Sequence, residues 1–490
     1  MSTVPGYNPA MLFNSFNYLV FLPTLLLIFW LSPARSRPAV LLVGSYLFYA
    51  SWNPRYLILI IGMTVANWLF GLIIHRATAA KKFWLILSLV FNIGLLGYFK
   101  YTNFFLKLGY DALNALRIPH QELMAHVVLP LGISFFTFEF LHYVIEVYKG
   151  QPPVWNPINF AVFAGFFPTQ IAGPIKRYLD FLPQIEQPVR FDLQKFENGF
   201  VLVLHGLAKK VLLADNLAVF VNMVYGHPDS WSVLELWLAT YAFAYQVYCD
   251  FSGYTDIAMG SALMLGISVP PNFNVPYMAN NIRELWHRQH ISLSLWFRDY
   301  VYFSLGGSRC STLKVYRNLL VTTALAGLWH GPAMHFVAWG AFQGFSLIIH
   351  REWMRLYKQV DWLGRFVQGR LWNAIAIFIT FHAFCISYVF FRAETIPTAL
   401  AMIGRMMRLW ELWLTRHPAF LTSQAPLIVP LIPFVLFGLF VAHVIAELNR
   451  KNNFFARSPR WLQAVYCSFL IFMMLALMPD QANRFLYFQF

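Results

Sequence analysis

Residues 318–350 read NLLVTTALAGLWHGPAMHFVAWGAFQGFSLIIH and hold no Asp, Glu, Lys or Arg. A helix rises about 1.5 Å per residue and the hydrocarbon core of a bilayer is about 30 Å thick, so roughly 20 apolar residues make one crossing. The stretch is longer than that, as is 233–267; each is a tilted helix or a pair of helices. Inside the stretch stands Gly331–Pro332, directly after His330. Proline has no N–H for the helix and clashes with the turn before it, so a helix breaks or kinks there. An imidazole at such a break has access to a cavity and to backbone groups that the helix no longer pairs.

Working outward, the same pattern repeats along all 490 residues. Hydrophobic residues make up 59% and charged residues 12%, and mean hydropathy is +0.54. Soluble domains carry about a quarter charged residues, so this chain lacks the polar surface that water requires. Apolar blocks run at about 15–31, 39–52, 56–74, 83–106, 126–148, 159–175, 199–225, 233–267, 318–350, 373–393, 427–446 and 461–478. They predict an all-α polytopic membrane protein of about eleven spans, with further re-entrant or interfacial helices. The block at 159–175 ends in Gly173–Pro174 and predicts a broken or re-entrant helix, which a membrane tolerates only where protein or water covers the freed backbone. The stretch before residue 31 has no basic start and no small-residue cleavage site, so it is expected to be a retained first span. With no repeat and no long hydrophilic stretch, 1–490 is expected to form a single membrane domain.

The net charge of +15 fits a membrane protein better than a nucleic-acid binder, because Lys and Arg collect in cytoplasmic loops and set orientation. Arg35 and Arg37, then Arg76, Lys81 and Lys82, then Arg450, Lys451, Arg457 and Arg460 mark three such loops, which places both termini outside. Segment 283–317 carries six Lys or Arg against Glu284 and Asp299. It is expected at the cytoplasmic face as a helix lying in, or dipping into, the interface.

Ionisable residues within apolar blocks are functional candidates. Asp250 and Asp256 flank Ser252, Gly253 and Thr255; they either serve a site or pair with neighbouring helices. His287 and His290 can share a helix face. No HExxH pattern, carboxylate at ligand spacing or paired cysteine accompanies them, so a metal site is not expected. His335 lies off the face of His330 and is read as structural. No GxSxG elbow, GxGxxG fingerprint or P-loop is present. Histidine is left as the best-placed acid–base group near neutral pH, although a lone histidine in an apolar block can equally be a satisfied core residue. A secondary transporter, with broken helices and midplane carboxylates, and a non-catalytic scaffold are the readings of other classes.

Two motifs then stand together: WHRQHISLSLWFRDYVY at 286–302 and GLWHGPAMHFVAWG at 327–340. With MLFNSFNYLVFLP, GYFKYTNFF, FFPTQIAGPIKR, GLAKKVLLAD, YCDFSGYTDIAMG and PPNFNVPYMANNIRELWHRQHISLS, they resemble the membrane-bound O-acyltransferase (MBOAT) family. The likeness is to its bacterial branch for alginate O-acetylation, and it covers nearly the whole chain. The resemblance implies a ring of helices around a central tunnel, with His330 as the signature histidine and His290 as its partner. His287 departs from the family pattern and receives no role.

Trp329, Asp250, Ser252, Asp256, Asn272, Asn274 and Arg298 are the candidates for tunnel lining or support. The resemblance further implies acetyl-CoA or another acyl thioester as donor, with no bound cofactor. It implies a multi-pass location in a bacterial inner membrane among lipids, a periplasmic polysaccharide acetyltransferase as partner, and an exported polysaccharide as acceptor. Peptidoglycan O-acetylation and D-alanyl transfer from a carrier thioester are the alternatives within the family.

Overall fold

The computed structural model describes residues 11–413, 429–452, 458–477 and 485–486; Arg457 of the third basic loop lies outside them. Among the described residues every regular element is helical, and Phe273 and Gln289 form an isolated antiparallel bridge. The helices Pro54–Arg76, Lys81–Ala115, Arg370–Arg392, Ile432–Arg450 and Arg460–Leu477 are long and apolar enough to cross a membrane, and Phe16–Leu31 is a shorter apolar helix. Outward faces of these helices are greasy: Phe434 is 75% exposed and Leu475 77%. Such residues would be a liability in water and are at home in lipid.

The chain divides into two compact units, one of Met1–Leu207 with Tyr254–Pro270 and one of Ala208–Gly253 with Pro271–Phe490. In the first, polar side chains tie apolar helices together. Asn67 and Asn92 exchange side-chain amide hydrogen bonds of 3.0 and 2.7 Å between Pro54–Arg76 and Lys81–Leu96. Lys176 meets Glu139 at 2.7 Å, both buried. With no hydrophobic drive between helices in lipid, hydrogen bonds of this kind and close packing hold them. The block at 159–175 is broken, as expected, but ahead of its Gly-Pro pair, at Phe166–Pro168. Its helix, Pro157–Gly165, stops, and the non-helical stretch that follows is buried, with Phe166 and Phe167 fully covered.

In the second unit the long stretch 318–350 resolves into a hairpin: helix Thr312–His330, a short extended link at Gly331, then helix Met334–Gln359. The other long block instead forms a single helix, Val233–Met264. The hairpin's two helices pack backbone to backbone at glycines. A Cβ on Gly327 would run into the carbonyl oxygen of Phe336, and one on Gly340 into that of Thr323. Gly340→Val is therefore expected to separate the helices and to cost about 1–3 kcal/mol or more. Thermal unfolding in detergent measures it, and a melting temperature equal to the parent's would refute the packing argument.

The basic segment 283–317 is not one helix but short helical pieces, turns over 303–311 and the start of Thr312–His330. It breaks into helices Ile282–Arg288 and Ile291–Phe297, followed by a π-helical turn, Arg298–Tyr302.

Candidate active site

Two helix ends bring the histidines together. His330 is the last residue of Thr312–His330, where Gly331 turns the chain out into an extended conformation. His290 sits between the two short helices with a left-handed backbone, φ 46° and ψ 52°. A non-glycine residue held there is strained, and such strain persists only where the surroundings over-determine it.

A strap from 272–274 does the holding. Ile291 donates its N–H to the Asn272 carbonyl at 2.9 Å, and Asn274 donates to the Arg288 carbonyl at 2.9 Å. The Asn272 side-chain oxygen accepts from the Ser292 hydroxyl at 2.6 Å and from its N–H at 3.2 Å. Asn272→Ala removes that acceptor from two buried donors. We expect about 1–3 kcal/mol of destabilisation and a loss of activity larger than the stability change explains, read from a melting curve and an acetyl-transfer assay on one preparation. Full activity would show that the left-handed turn at His290 does not matter.

The imidazole rings of His290 and His330 lie 6.2 Å apart, centroid to centroid, with the residues 4% and 7% exposed. Aromatic edges fix them. Trp339 stands perpendicular to His330 at 5.2 Å and Phe391 packs at 5.3 Å; Phe251 meets His290 edge-on at 4.5 Å. Trp329 packs beside both imidazoles, at 5.0 Å from His330 and 6.0 Å from His290. Both histidines line a cavity of about 30 Å³, whose walls include Asp250, Trp286, Trp339 and Leu486. That volume suits a group about the size of a water molecule, so a carbonyl or hydroxyl fits and a sugar does not.

A second cavity, of about 660 Å³, shares Trp286 as a wall and is strongly basic: Arg283, Arg298, Arg351, Arg355 and Lys358 line it. Arg298 pairs with Asp299 at 2.8 Å and Arg355 with Glu352 at 2.9 Å. The Arg351 Nε is buried without a hydrogen-bond acceptor among the described residues, which favours an anionic ligand. His287 lines this larger cavity and not the small one. Partial burial, with Arg283 and Arg298 nearby, holds its imidazole below the usual histidine range.

Of the residues singled out in the sequence, His290, His330 and Asp250 line the small cavity and Arg298 the large one. Asn272 and Trp329 stand behind the histidines. Ser252 is buried but lines neither cavity, and Asn274 is exposed. Asp256 belongs to the first unit and is half-buried there. His335 meets the Phe390 carbonyl through Nδ1 at 3.0 Å, a structural contact as expected.

Sequence reasoning missed Trp286 and Trp339, because a tryptophan in an apolar stretch carries no mark of its function. It also missed Lys210, which joins Asp250 at 2.8 Å and Asp215 at 2.7 Å with all three buried. A lysine inside an apolar block was itself the signal that could have found it.

Residues 77–391 match the model of MBOAT, the membrane-bound O-acyltransferase family. The chain is 41% identical over 412 residues to the "Probable alginate O-acetylase AlgI" of Pseudomonas aeruginosa, covering 82% of this chain and 76% of that protein. It is 36% identical to the "Peptidoglycan O-acetyltransferase" of Helicobacter pylori over 75% of this chain and 73% of that protein. It is 27% identical to the "Teichoic acid D-alanyltransferase" of Bacillus subtilis over 54% of this chain and 69% of that protein.

Proposed function

The chain belongs to the membrane-bound O-acyltransferase family, and from that premise we propose that it takes acetyl from a cytoplasmic thioester and delivers it to hydroxyls of an exported polysaccharide of the alginate type. The observation that carries this reading is the meeting of His290 and His330 at one small buried cavity, beside a larger basic one. The relatives named alginate O-acetylase favour alginate as acceptor, with peptidoglycan second.

In the reaction the hydroxyl oxygen attacks the thioester carbonyl. His330 takes the hydroxyl proton, the C–S bond breaks, and the proton passes to the leaving sulfur as the ester forms. His290 polarises the carbonyl or holds His330 in the productive tautomer. In a site this dry, a dipole aimed at the developing oxyanion acts more strongly than in water. The basic cavity receives the phosphates of acetyl-CoA. Its position in the Arg- and Lys-rich 283–358 region supports a cytoplasmic opening. The reading also includes about eleven crossings of a bacterial inner membrane around a tunnel, and a periplasmic acetyltransferase that hands the acetyl on to the polymer.

The test is the acetyl ester content of exported polymer from cells carrying His330→Ala, with membrane accumulation of the variant measured alongside. Parental ester content at normal accumulation sinks the proposal.

A further inference from the structure

Asp250 is more than a polar residue that the membrane tolerates. One carboxylate oxygen accepts from Lys210 Nζ at 2.8 Å, and the same ammonium reaches Asp215 at 2.7 Å. The other oxygen of Asp250 accepts the backbone N–H of Leu486 at 2.9 Å, 236 positions further along the chain. Lys210 also lies 4.6 Å from the ring centroid of Phe485, which is 1% exposed. Leu486 and Asp250 both line the histidine cavity. Lys210 itself stands on a π-helical turn, Lys209–Ala214. Such turns interrupt the regular ladder and are often found at functional sites.

A cluster whose only task was to join two helices would not need to grip the backbone of a residue in the cavity wall. We propose that Lys210, Asp215 and Asp250 form an ionic latch that seats Phe485 and Leu486 as one wall of the histidine cavity, and so keeps water from the thioester during transfer. The latch itself stands on the contacts above; only its water-excluding role rests on the acyl-transfer reading. Asp250 is thus a positioning residue. It acts by fixing an apolar side chain beside the histidines, and an acyl group left open to water would be hydrolysed instead of transferred.

The experiment uses the full-length protein with Cys310 and Cys467 replaced by serine and Leu486→Cys as reporter; Cys249 and Cys385 are buried. Asp250→Ala removes the acceptor of the Leu486 N–H and leaves Lys210 and Asp215 as a balanced pair, which favours folding. Loss of a charge-assisted hydrogen bond is expected to raise the labelling rate of the reporter by a membrane-permeant maleimide about tenfold. Asp250→Glu keeps the charge and both acceptor oxygens, one for Lys210 and one for the Leu486 N–H, and is expected to label more slowly than Asp250→Ala. Equal labelling in parent and Asp250→Ala overturns the latch, as does an Asp250→Glu protein that labels as fast as Asp250→Ala.

In a second arm the protein without the reporter receives acetyl-CoA and no polysaccharide, and free thiol is followed. Faster thiol release in Asp250→Ala than in the parent supports water exclusion. Faster labelling with unchanged thiol release overturns that role. The donor assignment is checked separately, on the parent with the acceptor system supplied: no thiol release there ends that assignment, while the labelling still decides the latch.

Discussion

Replacing His330 by alanine is expected to lower acetyl transfer by about 10²–10⁴-fold, the contribution of a positioned general base. The substitution suits the local structure. His330 ends a helix whose following residue already turns out of it, and alanine is the residue that a helix tolerates best. The loss should therefore appear in turnover and not in membrane accumulation. His290→Ala should fall in the same direction. The double variant should be little worse than the more damaging single one, because groups that act as a unit are not additive. The acetyl ester content of exported polymer from cells carrying each variant, set against membrane accumulation, measures all three. Additive losses would separate the histidines into independent roles. Acetylated His330 recovered from a quenched reaction would make that residue a carrier of the acyl group and not only a base.

The second large effect concerns the basic cavity. Arg351 has a buried guanidinium N–H with no acceptor among the described residues, and Arg283, Arg298 and Lys358 line the same space. A hydrogen bond to a charged group contributes about 1.5–3 kcal/mol, which is roughly a 10–150-fold change in affinity. Arg351→Glu should therefore raise the KM for acetyl-CoA by about that factor with kcat close to the parental value, the signature of binding lost equally in ground and transition states. Lys358→Glu, with a flexible stem and a point charge, should act in the same direction more weakly. A KM that does not move would remove this cavity from the donor path.

Much of this protein was readable from residue order, and the reasons are specific. Length in 318–350 announced a helix pair, and Gly331–Pro332 announced where the two part; the hairpin turns there, although neither helix is among those apolar enough to cross a membrane. The Gly-Pro pair at 173–174 announced a break in its block, but the helix already stops at Gly165, ahead of Pro168, and the first unit buries the stretch that follows. Asn272 entered as one candidate support residue among seven. That it holds the left-handed turn at His290 depends on a pairing between 272–274 and 288–292. Nothing in local propensity encodes that pairing.

His330 and His290 were nameable in advance because a family pattern surrounds each. Composition alone left a lone histidine as easily structural as functional. That they share one cavity follows from where two helices end and how tightly glycines let a hairpin close.

By itself, then, the sequence determined the apolar helical class and the family to which the motifs of the two histidines point, because hydropathy, helix-breaking residues and motifs are properties of neighbours along the chain. Only the tertiary structure decided what meets those histidines. Trp286 lines both a small buried cavity and a large basic one, and Asp250, paired with Lys210, holds Leu486 in the wall of the small one. The physical reason is that a cavity belongs to the surfaces around it. These surfaces come from segments as much as 236 positions apart, whose packing no local pattern records.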